Sequence, residues 1–399
     1  MIIAVADREG IPIPRFCYHK KLSIAANCRM CLVEMEQNGR PFPKPVPACA
    51  TPVCAGLKVQ TRSPKAIEAQ KGTMEFLLIN HPLDCPICDQ GGECELQDVA
   101  MGYGRDVSRY VERKRVVVDQ DLGPLIATDM TRCIHCTRCV RFGAEIAGLR
   151  ELGATGRGEQ VRIGTFVEHT MAHELSGNII DLCPVGALTS KPYRFQARAW
   201  ELTQAPGLGP HDALGSNLNL HLRRGRVMRV HPRENEAINE TWISDRDRFS
   251  YEGLYGEDRL TAPLVKNNGT WEAIGWSEAL QLAATRLKAA GASLGTLISP
   301  AATLEEMFLA QKLTRGLGSN DIDSRLRQQD FRGDANAPLL PWLGVPIAAV
   351  ERQQAILLVG ADIRAEIPLL AHRIRKAALE NDARVFVIHP YALELTFPA

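Results

Sequence analysis

Apolar and polar residues alternate with two different rhythms along this chain, and the change falls near residue 200. Beyond it, short apolar runs at 296–299 (Thr-Leu-Ile-Ser), 355–360 (Ala-Ile-Leu-Leu-Val-Gly) and 384–389 (Arg-Val-Phe-Val-Ile-His) read as buried strands. Between them, residues 304–317 and 369–380 repeat apolar positions with helical period, so this half predicts strand–helix–strand units and an α/β sheet. Residues 218–230 predict one further strand, basic at Arg223, Arg224, Arg226 and Arg229. Before residue 200 a helical pattern stands out at 66–79, followed by Pro82, Pro86, Gly91 and Gly92, which predict an irregular loop. The richest apolar stretch, 345–363, is interrupted by Glu351, Arg352 and Asp362, so no membrane-spanning segment is expected.

Composition narrows the function classes. A net charge of +1 gives no electrostatic footprint for nucleic acid or an anionic membrane surface. The first residues have neither the pattern of a signal peptide nor that of a Ser/Arg-rich transit sequence, so a soluble protein from a reducing compartment is expected. All 12 cysteines lie between Cys17 and Cys183. Disulfide scaffolds are short and secreted, so in a chain of 399 residues this crowding points to metal.

The cysteines fall into three sets. Cys17, Cys28, Cys31 and Cys49 combine a tight C-x2-C with two more distant thiols, one way to supply a [2Fe–2S] rhomb; a zinc site is the alternative. Cys54 is a fifth thiol nearby, expected as a small buried apolar residue. Cys85, Cys88 and Cys94 offer three corners of a cubane, and His81 stands four residues ahead as a candidate fourth ligand. Cys133, Cys136, Cys139 and Cys183 form C-x2-C-x2-C with a remote Cys-Pro, the ferredoxin-like way to hold [4Fe–4S]. Arg132, Arg138 and Arg141 flank this last set, as a solvated basic face or as compensation of cluster charge.

These residues resemble a known family. Arg15-Phe-Cys-Tyr-His with Asn27-Cys-Arg-Met-Cys, His81-Pro-Leu-Asp-Cys through Gly-Gly-Glu-Cys, and Asp181-Leu-Cys-Pro-Val-Gly-Ala-Leu are similar to the large iron–sulfur subunit of respiratory complex I (NuoG type), and the likeness runs along essentially the whole chain. It implies a [2Fe–2S] cluster on the first set and [4Fe–4S] clusters on His81 with its three cysteines and on the third set. It also implies an α+β then α/β architecture. Residues 1–62 would be a ferredoxin-like [2Fe–2S] domain without its first hairpin, leaving an open sheet edge. Residues 63–103 and 104–199 would carry the two [4Fe–4S] sites, 200–260 a β-rich domain, and 261–399 a partial molybdopterin-oxidoreductase-like α/β domain. Against that family the chain reads as shortened at both ends.

Some relatives hold an extra [4Fe–4S] with ligands spaced x2, x3 and x27. Gly209, Asp212, Ser216 and Ser244 stand at those positions here, none a thiol, so neither that cluster nor a molybdenum cofactor is expected. The resemblance implies an electron carrier of an NADH:quinone oxidoreductase with no catalytic residues of its own. Its partners would be the flavin- and NADH-binding subunit and quinone-side iron–sulfur subunits. Its place would be the cytoplasmic face of a bacterial inner membrane, or the matrix side if eukaryotic, with membrane contact only through partners. Iron-only hydrogenases and NAD-linked formate dehydrogenases share the first two sets, but the former need cysteines beyond Cys183 and the latter the four ligands missing after residue 200. A zinc-stabilised scaffold is the remaining alternative.

Overall fold

The computed structural model describes residues 1–166, 170–325, 330, 332–337 and 342–399. Contacts group the chain into two units, Met1–Gly209 with Leu214–Phe249 and Ile347–Ala399 as one, and Pro210–Ala213 with Ser250–Pro346 as the other.

The first unit begins with a short helix, Ile2–Arg8, whose Ile2, Ile3 and Ala6 are buried with Val33 and Met35 of the strand Leu32–Gln37. That strand is the hub of a four-stranded antiparallel sheet, pairing with Arg40–Pro41, Val46–Pro47 and Leu57–Gln60. Its first turn is Asn38-Gly39, both with positive φ (50° and 82°), the geometry that matches the twist of a two-residue hairpin. The predicted helix at 66–79 is Pro64–Leu78. The Ser63 hydroxyl accepts the Ala66 N–H at 3.2 Å, and proline stands at the first turn, where its missing N–H costs nothing.

Regular structure then thins out. A 3₁₀ turn at Cys85–Ile87, the helix Glu95–Tyr103, the strand pairs Ile126–Thr128 with Leu188–Ser190 and Leu152–Thr155 with Arg162–Thr165, and two short helices, Arg138–Arg141 and Asn178–Leu182, carry the chain to residue 199. The core beneath them joins Phe16, Met30, Met74, Phe142, Ile179 and Trp242.

Residues 218–230 form a hairpin rather than the single strand expected. Asn217–Arg223 pairs with Arg226–Pro232 and, on its other side, with Thr203–Leu208. Arg224 and Gly225 both adopt positive φ (51° and 76°), so two consecutive left-handed residues reverse the chain inside what reads as one apolar run. The same unit ends in a parallel pair, Ala355–Val359 with Arg384–Ile388, crossed by the helix Pro368–Glu380.

The second unit has an Asn268-Gly269 hairpin between Leu264–Asn267 and Thr270–Ala273, the helix Trp276–Ala290, and a parallel pair, Gly295–Leu297 with Asp321–Asp323, connected through Leu304–Gly316. The strand–helix–strand logic read from periodicity is therefore present in both pairs.

Candidate metal centres

The first four thiols touch in pairs. Cys17 meets Cys28 and Cys49, and Cys31 meets Cys49. Cys17 and Cys28 belong to the apolar core that holds Phe16, Phe142 and Trp242, whereas Cys31 and Cys49 belong to the core under the four-stranded sheet, so the set sits where two cores meet. The Cys17 N–H points to Cys28 Sγ at 3.4 Å. Contact between thiols divides their acidity: hydrogen bonds from Cys28 and Cys49 push Cys17 down, while the same contacts push Cys28 and Cys49 up. Arg29, inside the C-x2-C, has φ +60°, a left-handed turn that lets the two cysteines face the same side.

In the second set His81, Cys85 and Cys94 line one groove, and Cys88 lies close enough to feel Cys85 electrostatically. Burial drives His81 down to about 4, so its imidazole is neutral at physiological pH. Its ring lies beside the Arg132 main chain, and its buried Nδ1 has no partner in the protein. A neutral histidine with a buried, open ring nitrogen is the state a metal ligand needs. Cys94 Sγ lies 3.7 Å from the Pro184 carbonyl, which ties this set to the Cys-Pro of the third. Gly186 is the closest approach: a Cβ there would stand 2.3 Å from Cys88 Sγ.

The third set lines a single small cavity of about 20 Å³, with Met130, Ile134, Ile163, Val185 and Leu188 completing an apolar wall. Main-chain N–H groups turn toward the sulfurs. His135 donates to Cys133 at 3.4 Å, Arg138 and Val140 meet Cys136 and Cys139, and Val185, Ala187 and Leu188 meet Cys183. Positive φ at His135 (52°) and Thr137 (61°) produces this inward turn, a concave nest suited to an anionic group. Burial, outweighing these N–H groups and the neighbouring guanidiniums, pushes Cys133 up to about 11 and Cys136 and Cys183 up to about 12. Such thiols ionise only when a cation of high charge density binds them directly.

The donor sets fit iron–sulfur clusters: soft sulfur, one neutral imidazole, N–H groups aimed at sulfur, and a cavity rather than a packed core at the third set. Among the described residues, no three His, Cys, Asp or Glu side chains converge on a single-ion site.

Two expectations change. Cys54 is exposed, with its sulfur 3.2 Å from Gln37 Nε2, because it lies in the bare loop before Leu57–Gln60 and not under the sheet. Arg132 and Arg138 are each only 5% exposed and form no solvated face. Residues that motif reading missed are Gly186 and the N–H donors. A glycine three positions beyond the cysteine of the Cys-Pro was the one available signal for the former.

The region of the extra cluster is closed by other atoms. A Cβ on Gly209 would meet the Asp247 carboxylate at 2.6 Å, and Ser216 and Ser244 are buried. Asp212 falls in the other unit.

Comparison with known proteins gives this picture a family. Models match for a 2Fe-2S iron–sulfur cluster binding domain (residues 1–64), the NADH-ubiquinone oxidoreductase-G iron–sulfur binding region (70–109) and the NADH-quinone oxidoreductase subunit 3 ferredoxin-like domain (123–189). Two more match an NDSU1/NuoG-like 4Fe-4S domain (208–252), cysteine-free in this chain, and molybdopterin oxidoreductase (259–399). The NuoG-type subunit of NADH-quinone oxidoreductase from Rickettsia felis is 49% identical over 96% of this chain and 56% of its own length. The NADH-ubiquinone oxidoreductase 75 kDa subunit of Reclinomonas americana is 45% identical (98% and 58%), and the mitochondrial NADH dehydrogenase [ubiquinone] iron–sulfur protein 1 of Solanum tuberosum 46% (98% and 52%). The chain thus spans about half the length of the curated relatives it matches. Among solved structures, an NAD⁺-reducing [NiFe]-hydrogenase in the H2-reduced state is similar at 27% identity and a TM-score of 0.40, over 49% of this chain and 82% of that one. Over the length they share, this chain is similar to the NuoG-type family, the large iron–sulfur subunits of NADH-quinone oxidoreductase and their 75 kDa mitochondrial counterparts.

Proposed function

We propose that this chain is an electron-transfer subunit of an NADH:quinone oxidoreductase, carrying electrons one at a time from an NADH- and flavin-binding subunit toward quinone. Cys17, Cys28, Cys31 and Cys49 hold one [2Fe–2S] cluster, His81, Cys85, Cys88 and Cys94 one [4Fe–4S], and Cys133, Cys136, Cys139 and Cys183 another. The observation that carries this reading is the third set, four remote-and-local cysteines on one cavity with N–H groups turned to their sulfurs.

When bound, the clusters supply one-electron redox chemistry. The protein's part is to hold them. The thiols furnish the negative charge, the N–H groups from residues 135–140 and 185–188 offset it, and the walls of Met130, Ile134, Ile163 and Leu188 exclude water. His81 contributes a neutral donor, which makes the second cluster less negative than an all-cysteine one. No acid–base pair is required. On this reading the reductant and the quinone bind to other subunits. No described helix is long and apolar enough to cross a membrane, which accords with a peripheral place held through partners.

Low-temperature EPR of the dithionite-reduced, anaerobically purified protein in its complex tests this, alongside iron and acid-labile sulfide analysis. About ten irons per chain, one binuclear signal and two cubane signals are expected. His81→Ala is expected to perturb one cubane signal and leave the other two. Zinc in place of iron, or loss of all three signals in that variant, would overturn the assignment.

A further inference from the structure

The three arginines beside the third ligand set share an unusual choice of partners. Arg138 is buried, and its planar fork makes four hydrogen bonds. Its Nη1 donates to Glu95 Oε1 at 2.8 Å and to the Leu182 carbonyl at 3.3 Å. Its Nη2 donates to Glu95 Oε2 at 3.1 Å and to the Tyr18 carbonyl at 3.1 Å. Tyr18 follows Cys17 of the first set, Glu95 follows Cys94 of the second, and Leu182 precedes Cys183 of the third. Arg138 itself precedes Cys139. One guanidinium therefore grips a chain neighbour of a candidate ligand in every set.

Its two counterparts each join a pair of sets. Arg141 donates to the Cys17 carbonyl and, at 3.3 Å, to the Cys136 carbonyl, linking first to third. Arg132 holds Asp84, the residue before Cys85, at 2.7 Å, and the Gly186 carbonyl at 3.3 Å, linking second to third. Arg141 also donates to the Ser23 carbonyl and Arg132 pairs with Asp129, contacts that any loop anchor makes, whereas all four bonds of Arg138 reach chain neighbours of candidate ligands.

We infer that Arg138 is a positioning residue that sets the spacing between the three cluster sites, a role that rests on the electron-carrier reading above. Electron transfer between centres falls steeply as they move apart, so loops tied to one rigid group keep a separation that independent loops would not. The fork is essential to this. Lysine supplies a point charge on a flexible stem and cannot span a carboxylate and two carbonyls in one plane. The charge acts separately. Arg138 neutralises Glu95 next to Cys94, and an unpaired Glu95 carboxylate would make the second cluster harder to reduce.

The two effects are separable by experiment in the full complex with Arg138→Gln, Arg138→Lys and Glu95→Gln. Iron content, the microwave power that half-saturates each EPR signal, and the midpoint potential of each cluster are measured. Arg138→Gln is expected to keep all the iron, to lower the half-saturation power of the first-set signal as its neighbour moves away, and to shift the second-set midpoint downward. Arg138→Lys is expected to restore the midpoint but not the half-saturation power, and it decides the matter alone if the glutamine variant fails to assemble. Glu95→Gln, which leaves the Tyr18 and Leu182 bonds in place, is expected to raise the second-set midpoint with the first-set signal unmoved. Full iron with wild-type relaxation and midpoints in both arginine variants overturns the inference alone. An unsubstituted protein without iron would instead overturn the electron-carrier reading beneath it.

Discussion

Residues 1–199 and the α/β elements beyond 294 solve the problem of order in opposite ways. In the α/β elements the backbone satisfies itself: parallel strands exchange hydrogen bonds, and the helix Leu304–Gly316 is capped at its start. Apolar side chains are nevertheless left out on that side, among them Leu304, Phe308, Leu309 and Leu313. In residues 1–199, apart from the helices Pro64–Leu78 and Glu95–Tyr103, short strands and one-turn helices leave much of the main chain irregular, with left-handed turns at Arg29, His135 and Thr137. Such residues cost about 1–3 kcal/mol each when held in strained conformations. What holds them is a network of buried arginines and sulfur-directed N–H groups, converging where the thiols converge. Backbone regularity organises one region and long-range side-chain contacts the other.

The largest effect expected from this contrast follows removal of iron. Chelation of the oxidised protein is predicted to abolish hydrogen-exchange protection over residues 17–49, 81–94 and 133–183, because thiols and N–H groups arranged around a cluster lose the partner that joins them. Protection in Leu304–Gly316 and Trp276–Ala290 should persist. Equal loss in both regions would erase the distinction.

A single methyl group sharpens it next. Gly186→Ala places a carbon 2.3 Å from Cys88 Sγ, and Gln90 Cβ, 3.1 Å from the same point, leaves little room to yield. The expected result is selective loss of the second-set cluster, about four irons per chain, with the first-set signal intact. Full iron occupancy in that variant would show that the loop can move.

Glu240 tests whether ion pairing, and not only metal, orders the first unit. It is buried with His372 at 3.1 Å, Lys21 and Lys376 each at 3.0 Å, and Arg373. Glu240→Gln removes the carboxylate these groups share, while Lys21 keeps Glu236 and Arg373 and Lys376 keep Glu351, and is expected to cost about 1–3 kcal/mol in an unfolding experiment at neutral pH. Burial alone would raise this carboxyl, but His372, Lys21 and Lys376 outweigh it and hold it well below its ordinary 4.5. A depressed carboxyl contributes its stability above the unfolded value and loses it as pH falls toward the folded one. The gap between wild type and variant should therefore narrow below pH 4.5. A gap that is constant with pH would assign the cost to packing.

The smallest effect belongs to the other region. Thr303 caps Leu304–Gly316, accepting the Glu306 N–H at 3.2 Å while the Glu306 carboxylate accepts the Thr303 N–H at 2.8 Å. Thr303→Ala is expected to lower stability by about 1 kcal/mol without changing iron content. Any loss of iron would mean that the two regions are coupled.

Much of the regular structure was legible beforehand. The helices Pro64–Leu78, Leu304–Gly316 and Pro368–Glu380 lie within two residues of where apolar period and punctuation place them, since periodicity directly reports which face is buried. The hairpin at 217–232 was not, because Arg224 is an unusual residue for a positive φ and its flanks are both apolar enough to read as one strand. Cys54 was misplaced for a similar reason: a residue type's average burial says nothing of the loop it occupies.

Alone, the order of residues determined the kind of chemistry. Cysteine crowding, C-x2-C-x2-C spacing and the histidine ahead of three thiols specify soft-donor sites, because ligand identity and local reach are properties of the chain itself. It determined the secondary elements of the α/β part for the same local reason. Only the tertiary structure decided that Arg138 touches the surroundings of all three sites, that Gly186 must lack a side chain, and that Asp247 fills the space beside Gly209. Each of those depends on residues far apart in the chain meeting in space, up to 120 positions for Arg138 and Tyr18. A contact of that kind leaves no periodic or spacing signal in either segment.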